Sequence, residues 1–148
     1  MKHTFREKYG EWAVVTGATS GIGSEIASQI AQQGLNLLLV SRNEQRLDNK
    51  ARQLQEAYGV EVQTVQADLS HQEDNQRVII ASENLNVGLF VACAGMETHG
   101  TMTEMDQNTE LAMIQLNVTS LFTLTHYYAQ QMSQRERGGF CWFPVFTA

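Results

Sequence analysis

The sequence predicts a doubly wound α/β fold, in which a parallel β-sheet carries helices on both faces. Two observations lead to this prediction. Short apolar runs alternate with amphipathic segments along almost the whole chain, which indicates strands alternating with helices. Near the start, a strand, a glycine-rich turn and a helix follow one another, as expected where parallel strands are joined by helical crossovers.

The first part of the chain provides two strands and the helix between them. Residues 11–16 form a short run rich in β-branched side chains that leads directly into glycines, which predicts a buried strand ending in a tight turn. Apolar residues then recur on one helix face from Ile22 onward, and Gly34 is the expected helix stop. Residues 35–40 are apolar without alternation, which predicts a second strand covered on both faces.

The later segments continue this alternation. They predict a helix, a strand near the sheet edge, a helix, a buried strand and a long helix, over residues 42–58, 60–67, 72–83, 87–92 and 106–132. Gly59 closes the first of these helices, and the tail from Gly138 onward would supply a fifth strand. The long helix carries apolar residues at Leu111, Ile114, Val118, Leu121 and Phe122.

Length and composition limit the classes of protein. At 148 residues, with 43% hydrophobic and 18% charged residues, the chain is expected to form a single domain over residues 1–148. The net charge of −6 argues against nucleic acid as a partner, because a nucleic-acid-binding face needs clustered Lys and Arg. The four histidines are scattered without metal-ligand spacing, so no metal site is expected.

The sequence pattern also bears on location. The N-terminal residues lack the continuous apolar segment of a signal peptide, and no apolar run is long enough to span a bilayer. Cys93 and Cys141 could form one bridge at most, and free thiols are the favoured interpretation. We therefore expect a cytoplasmic protein without a membrane partner.

The strongest functional signal is the segment TGATSGIG, residues 16–23, between the first predicted strand and the first predicted helix. Such a turn leaves unpaired N–H groups and the positive end of a helix dipole facing one point, which suits a pyrophosphate. Glycines are needed because Cβ atoms would block both the phosphates and the packing of helix on strand. The expected site residues here are Gly17, Ser20, Gly21, Ile22 and Gly23.

The segment also allows two alternatives to this nucleotide site. A P-loop for nucleoside triphosphates is excluded, because Ser24 follows Gly23 where that motif needs a lysine. A tight turn that binds nothing is the other alternative, and the flanking strand and helix argue against it.

The spacing TGxxxGxG and the segments after it resemble the short-chain dehydrogenase/reductase family, from about residue 10 to residue 139. The resemblance implies a Rossmann fold and hydride transfer between NAD(P)(H) and a small-molecule alcohol or carbonyl substrate. It also implies a homo-oligomer, which is doubtful here because the relatives build that contact from segments beyond the fifth strand.

Within this resemblance, Arg42 favours NADP over NAD. It follows Ser41 at the end of the second strand, where an NAD-preferring relative usually carries an Asp. A carboxylate there bonds the ribose hydroxyls, whereas a guanidinium pairs with a 2′-phosphate. The alternative is a solvated Arg in the first turn of a helix.

Three further segments match the family in order. Asp68 and Leu69 follow the third strand, where relatives contact the adenine, although Asp68 could also simply cap the next turn. Ala94 and Gly95 keep the second half of the family's Asn-Asn-Ala-Gly and would meet the nicotinamide-side ribose. Asn117 matches the helix Asn of the family's catalytic residues, which bonds to backbone and helps to hold a water near the catalytic Lys.

The other catalytic residues of the family are not found in this sequence. Relatives use a Ser at the end of the fifth strand and a Tyr-x-x-x-Lys, in which the Lys lowers the pKa of the Tyr. Here Tyr127 and Tyr128 are followed four residues later by Gln131 and Met132, and Pro144 lies near the expected Ser. We therefore expect no turnover from the chain as given, and a fold that is incomplete after about the fifth strand.

Residues 140–148 form an aberrant tail, for which we put forward a frameshift. Read one base out of register, the codons of residues 140–143 must encode Leu-Leu-Val, and the next codons can encode Ser-Ser, as in relatives. The alternative is a tail that decodes this way by chance, and resequencing the DNA across Gly138 distinguishes the two. In either case the fifth strand and the inner face of the long helix are expected to expose apolar surface.

Two functions other than catalysis stay open on the sequence alone. One is a non-catalytic module that binds NADP(H), and the other is a non-functional fragment. Saturable binding of NADPH would favour the module over the fragment. The substrate is not predicted, because relatives select it with segments beyond the fifth strand.

Overall fold

The computed structural model describes residues 4–143, which form five strands in one sheet. The strands are β1 (Trp12–Thr16), β2 (Asn36–Ser41), β3 (Val62–Gln66), β4 (Val87–Ala92) and β5 (Gly139–Trp142). Their order in the sheet is β3-β2-β1-β4-β5, and every neighbouring pair is parallel. The predicted doubly wound α/β fold is confirmed, and the direction of strand order reverses between β1 and β4.

Six α-helices accompany these strands in the described part of the chain. They are α1 (Phe5–Tyr9), α2 (Gly21–Gln32), α3 (Glu44–Tyr58), α4 (Gln72–Ser82), α5 (Gln107–Ile114) and α6 (Leu121–Gln134). The predicted start of α3 at residue 42 is wrong by two positions, because the Asn43 side chain accepts a hydrogen bond from the Arg46 N–H and caps the helix there. Helix α1 was not predicted.

The long helix predicted over residues 106–132 is not a continuous α-helix. A π-helical segment, Gln115–Ser120, joins α5 to α6, so the helical phase changes in the middle. Asp106 accepts a hydrogen bond from the Thr109 N–H and acts as the N-cap, which places the first helical residue at Gln107. The change of phase determines which side chains of α6 face the sheet.

The sheet is covered on both faces by separate apolar clusters. Val15 and Leu39 belong to the cluster on the side of α2 and α3. Val14 and Leu38 belong to the cluster on the side of α4 and α6, together with Tyr128. Strand β1 is buried along its whole length, whereas β3 is an edge strand, as the sequence pattern predicted, in which Val62 and Val65 are buried and the three polar residues are not.

The apolar surface of the long helix lies on its outer face. Leu111, Ile114, Val118 and Phe122, which we call the outer stripe, are 55%, 49%, 60% and 69% exposed. The residues that pack on the sheet are instead Leu124, Tyr128 and Met132. The prediction of exposed apolar surface is therefore confirmed, but the prediction that it would be on the inner face is wrong.

The prediction that the segment from Gly138 onward supplies a fifth strand is confirmed. Gly139–Trp142 pairs with β4, with Phe140 opposite Phe90 and Trp142 opposite Ala92. The Phe140 and Trp142 rings stack at 5.9 Å, and the two side chains are 37% and 53% exposed on this edge strand. Pro144 and the rest of the tail lie outside the described residues. Within residues 4–143, no helix is long and apolar enough to cross a membrane.

Candidate cofactor site

A cleft of about 580 Å³ opens at the carboxyl ends of the strands. It lies where the strand order reverses between β1 and β4, the place at which doubly wound sheets bind ligands. All the predicted cofactor-binding residues line it: Gly17, Ser20, Gly21, Ile22 and Gly23 from the loop after β1, and Arg42, Asp68, Leu69, Ala94 and Gly95 from the ends of the other strands.

Two glycines let the loop after β1 pack against its neighbours. Gly17 has φ +64, and a Cβ there would lie 2.8 Å from the Ala94 nitrogen and from the Cys93 carbonyl oxygen. A Cβ on Gly23 would overlap the Gly17 carbonyl. Larger residues at either position would therefore push the loop away from the end of β4 and change the floor of the cleft.

The amino terminus of α2 faces the cleft without a side-chain cap. Ser20 is the N-cap residue, and its side chain makes no capping hydrogen bond. Gly21, the first helical residue, has φ +50, and a Cβ there would meet no atom within 4 Å. Because the first N–H groups of a helix lack intrahelical partners and lie at the positive end of its dipole, this geometry suits an anionic ligand. Ile22, 58% exposed, adds an apolar side chain to the same rim.

The Thr16 hydroxyl joins β1 to the end of β4. Its Oγ1 accepts hydrogen bonds from the N–H of Cys93 at 3.2 Å and from the N–H of Ala94 at 3.1 Å. Thr16 is buried, so the two bonds satisfy an oxygen that would otherwise be costly to bury. This role of Thr16 was not predicted, although a polar residue that ends an apolar strand is a usable signal.

A second polar contact fixes the loop to β2. Thr19 Oγ1 lies 2.8 Å from Ser41 Oγ, which ties the loop after β1 to the carboxyl end of β2. Arg42 follows directly, is exposed and lines the cleft. Its guanidinium is also near enough to Asp68 to act on that carboxyl group. The cleft therefore carries one cationic side chain at the end of β2, close to one carboxylate at the end of β3.

Asp68 both caps a turn and lines the cleft. Its Oδ1 accepts hydrogen bonds from the N–H and the hydroxyl of Ser70, at 3.1 Å and 2.7 Å. Burial works to raise the pKa of Asp68, but the Ser70 hydrogen bonds, with His71 and Arg42 nearby, outweigh it, so that the pKa lies below its ordinary value. The carboxylate is therefore ionised at neutral pH. The capping alternative is consistent with the structure, and it does not remove Asp68 from the cleft.

Asn117 lies in the π-helical segment, behind the cleft. Its Nδ2 donates to the Met96 carbonyl at 2.7 Å, and its Oδ1 accepts from the Met96 N–H at 3.0 Å. Met96 lines the cleft beside Gly95. Asn117 thus bonds to backbone, as the family resemblance implies, and that backbone belongs to the loop after β4.

The cleft includes residues that the sequence analysis did not assign to it. Cys93, Leu116 and Phe143 are among them. Burial, with Cys141 nearby, raises the pKa of the Cys93 thiol to about 11, so Cys93 is a neutral thiol at physiological pH. Neither cysteine is in a disulfide. Among the residues that the structure describes, no cluster of His, Cys, Asp and Glu could hold a metal ion.

The reversed strand order, the glycine loop and the uncapped helix end together define a dinucleotide-binding α/β domain. A family model described as short chain dehydrogenase matches residues 11–140. The chain belongs to this family of oxidoreductases.

Curated proteins and solved structures are also similar to this chain. A 7beta-hydroxysteroid dehydrogenase of Clostridium sardiniense is 33% identical over 136 residues, which cover 92% of this chain and 52% of that protein. The corresponding enzyme of Collinsella aerofaciens is 35% identical over 133 residues, which cover 90% and 51%. A short-chain dehydrogenase from Sphingobium yanoikuyae in complex with NADPH superposes with a TM-score of 0.85 and 33% identity, covering 89% of this chain and 52% of that one. The chain thus spans about half the length of its curated relatives.

Proposed function

We propose that this chain binds NADP(H) as the cofactor half of an oxidoreductase that transfers a hydride between the nicotinamide and a small-molecule alcohol or carbonyl. The observation that carries the proposal is Arg42, an exposed guanidinium at the end of β2 in a cleft floored by the glycine loop. A guanidinium pairs well with a phosphate. The NADPH complex of the Sphingobium yanoikuyae relative supports the same choice of cofactor.

Each part of the cleft would hold one part of the dinucleotide. The N–H groups at the start of α2, beginning at Gly21, would bind the pyrophosphate. Arg42 would pair with the 2′-phosphate, and Asp68 with Leu69 would contact the adenine. Ala94 and Gly95 would let the nicotinamide-side ribose approach the backbone after β4, because their side chains are small or absent. The nicotinamide, when bound, supplies hydride chemistry that no side chain has.

We further propose that the chain as given does not turn substrate over. Hydride transfer to a carbonyl needs a proton donor for the developing alkoxide, and no Tyr-x-x-x-Lys is present in the 148 residues. Asn117 would then hold the Met96 loop in place, and it would have no Tyr-x-x-x-Lys proton relay to support. A second candidate function is a module that binds NADP(H) without catalysis, which the same cleft and Arg42 would serve. A cytoplasmic location is consistent with both candidate functions, since Cys93 and Cys141 are free thiols.

Calorimetric titration with NADPH and with NADH tests the proposed cofactor. The unsubstituted chain should bind NADPH saturably and more tightly than NADH. Arg42→Gln should weaken NADPH binding by about tenfold or more while leaving NADH nearly unchanged, because only NADPH carries the 2′-phosphate.

Arg46→Gln is the matched control. Arg46 is also exposed, follows Arg42 by four residues and does not line the cleft, so the same loss of charge should change neither affinity. Absence of saturable binding would contradict the proposal as a whole. Equal losses in both arginine variants would contradict the role of Arg42.

A further inference from the structure

A buried polar contact lies behind the adenine end of the cleft, between α4 and the π-helical segment. Asn75 on α4 and Ser120 at the end of that segment are each 2% exposed. The Ser120 hydroxyl donates to Asn75 Oδ1 at 2.6 Å. Neither residue lines the cleft, and neither was assigned a role by the sequence pattern.

The amide group of Asn75 is directed at the loop between β3 and α4. Its Nδ2 donates to the Leu69 carbonyl at 2.9 Å and to the His71 carbonyl at 2.8 Å. Both N–H bonds of the amide are therefore used, and the Ser120 hydroxyl occupies its oxygen. This set of partners fixes which way the amide faces, because a flipped amide would point its oxygen at two carbonyls.

The neighbouring residue of α4 holds the same loop at its other end. Asp74 Oδ2 accepts a hydrogen bond from the Asp68 N–H at 2.6 Å. The loop that presents Asp68 and Leu69 to the cleft is thus attached to α4 through the backbone of three residues, Asp68, Leu69 and His71. Its conformation depends on α4 as well as on β3.

A buried amide and hydroxyl cost free energy unless they are fully paired, and an apolar side chain at position 75 would pack between two helices without that requirement. The hydrogen bonds of Asn75 are directional, so they fix the positions of the Leu69 and His71 carbonyls. A hydrophobic contact at position 75 would not fix them. The backbone of this loop in turn determines where the side chains of Asp68 and Leu69 lie in the cleft.

We propose that Asn75, oriented by Ser120, is a positioning residue for the adenine end of the dinucleotide site. The inference rests on the proposed function, because the adenine contact of Asp68 and Leu69 is part of that proposal. Asn75 acts through the loop and does not touch the ligand. The same helical segment also carries Asn117, which holds Met96 at the other end of the cleft, so Gln115–Ser120 supports both loops.

The test compares Asn75→Leu with Ser82→Ala in calorimetric titrations with NADPH and with adenosine 2′,5′-bisphosphate. Leucine has nearly the size of asparagine and removes all three hydrogen bonds. Asn75→Leu should weaken binding of both ligands by about tenfold, since the loop loses two buried hydrogen bonds. Ser120→Ala leaves both Asn75 donors in place, and should give a smaller loss in the same direction.

Ser82→Ala is the matched control because it breaks another buried polar contact of α4, to Tyr128 on α6. Ser82 Oγ lies 2.9 Å from the Tyr128 hydroxyl, both residues are buried, and the contact is at the end of α4 remote from the adenine loop. It should lower the melting temperature while leaving both affinities within about twofold. A purely structural role for Asn75 would make the two variants behave alike.

Hydrogen exchange of the ligand-free protein supplies a second measurement. The Ser70 and His71 N–H groups are bonded within the loop, to Asp68 Oδ1 and to the Asp68 carbonyl. These two amides should exchange faster in Asn75→Leu and unchanged in Ser82→Ala. If the unsubstituted chain binds both ligands and Asn75→Leu binds them as tightly, the positioning role is wrong while the proposed function stands. If the unsubstituted chain binds neither ligand, the proposed function fails and the role of Asn75 fails with it.

Discussion

Asn117 and Met96 are joined by two hydrogen bonds, one through each end of the Asn117 amide. The Asn117 side chain bonds to both the N–H and the carbonyl of Met96, as the backbone of a neighbouring β-strand would do. The loop after β4 is thereby attached to the helix that covers the sheet, at the point where the chain leaves β4 for the edge of the cleft.

Asn117→Ala should destabilise the protein by about 1–3 kcal/mol, because the substitution leaves a partly buried N–H and carbonyl of Met96 without their partners. Urea unfolding followed by circular dichroism measures the change. Asn108→Ala is the control, as Asn108 is exposed on the first turn of α5, and it should shift stability by no more than about 0.5 kcal/mol. Coincident unfolding curves for the two variants would show that the Met96 contact contributes nothing.

Gly21→Ala should lower NADPH affinity by more than its effect on stability explains. Gly21 has φ +50 and Gly59 has φ +67, and a Cβ on either would meet no protein atom within 4 Å. Both alanine variants should therefore lose about 1–2 kcal/mol of stability from backbone strain alone. Only the methyl group added by Gly21→Ala would lie at the amino terminus of α2, where the phosphates are proposed to bind.

The comparison of Gly21→Ala with Gly59→Ala separates strain from steric exclusion. Thermal unfolding should give similar shifts for the two variants, and calorimetry should give weaker NADPH binding for Gly21→Ala alone. Unchanged affinity in Gly21→Ala, measured below the unfolding temperature, would mean that the phosphates do not bind at the start of α2.

Alkaline pH should destabilise the protein, in part through Cys93. Burial, with Cys141 as the second cause, raises the pKa of Cys93 from 9.0 to about 11. The unfolded chain therefore releases the thiol proton first as pH rises, so the stability contributed by the neutral thiol is complete below pH 9 and is lost between pH 9 and 11.

Cys93→Ala isolates this contribution from the other groups that titrate at high pH. Burial also raises the pKa of Tyr128, which adds an alkaline slope of the same sign in both proteins. Urea unfolding measured at steps from pH 8 to pH 11 should show a shallower fall in stability for Cys93→Ala than for the unsubstituted chain. Parallel pH profiles would mean that the folded protein does not hold the thiol neutral.

Much of the fold could be predicted because the signals are local. The β-branched run of β1 and the glycines after it identify a strand, a turn and a helix start within fifteen residues, and the structure has all three. The alternation in β3 likewise predicted an edge strand. The predicted cofactor-binding residues lie in short segments at the ends of strands, and the structure brings them together in one cleft.

The features that the sequence did not predict depend on contacts between distant segments. In the π-helical segment, Asn117 and Ser120 bond to partners 21 and 45 residues away, which no local period reveals. The buried face of α6 includes Tyr128, whose hydroxyl lies 2.9 Å from Ser82 Oγ on another helix, and no local pattern indicates that contact. Asn75 was missed because two of its partners are backbone carbonyls and the third, Ser120, is 45 residues away.

The outer stripe should drive self-association. Its four apolar side chains are each about half exposed or more, and Val118 and Phe122 are the most exposed of them at 60% and 69%. Exposed apolar area of this kind is removed from water when two surfaces meet. Val118→Gln combined with Phe122→Gln should therefore shift the molecule toward monomer in sedimentation velocity experiments, across a concentration series.

The same double substitution should leave the free energy of unfolding of the monomer nearly unchanged, because neither side chain packs on the sheet. Leu124→Ala is the buried control. Leu124 packs against the sheet and is 1% exposed, so its truncation should lower the free energy of unfolding by about 2–5 kcal/mol. If the double variant sediments like the unsubstituted chain at every concentration, the outer stripe is not what brings molecules together. A large loss of stability in the double variant would mean that these residues contact the rest of the fold in solution, because truncating a solvated side chain has little effect on unfolding.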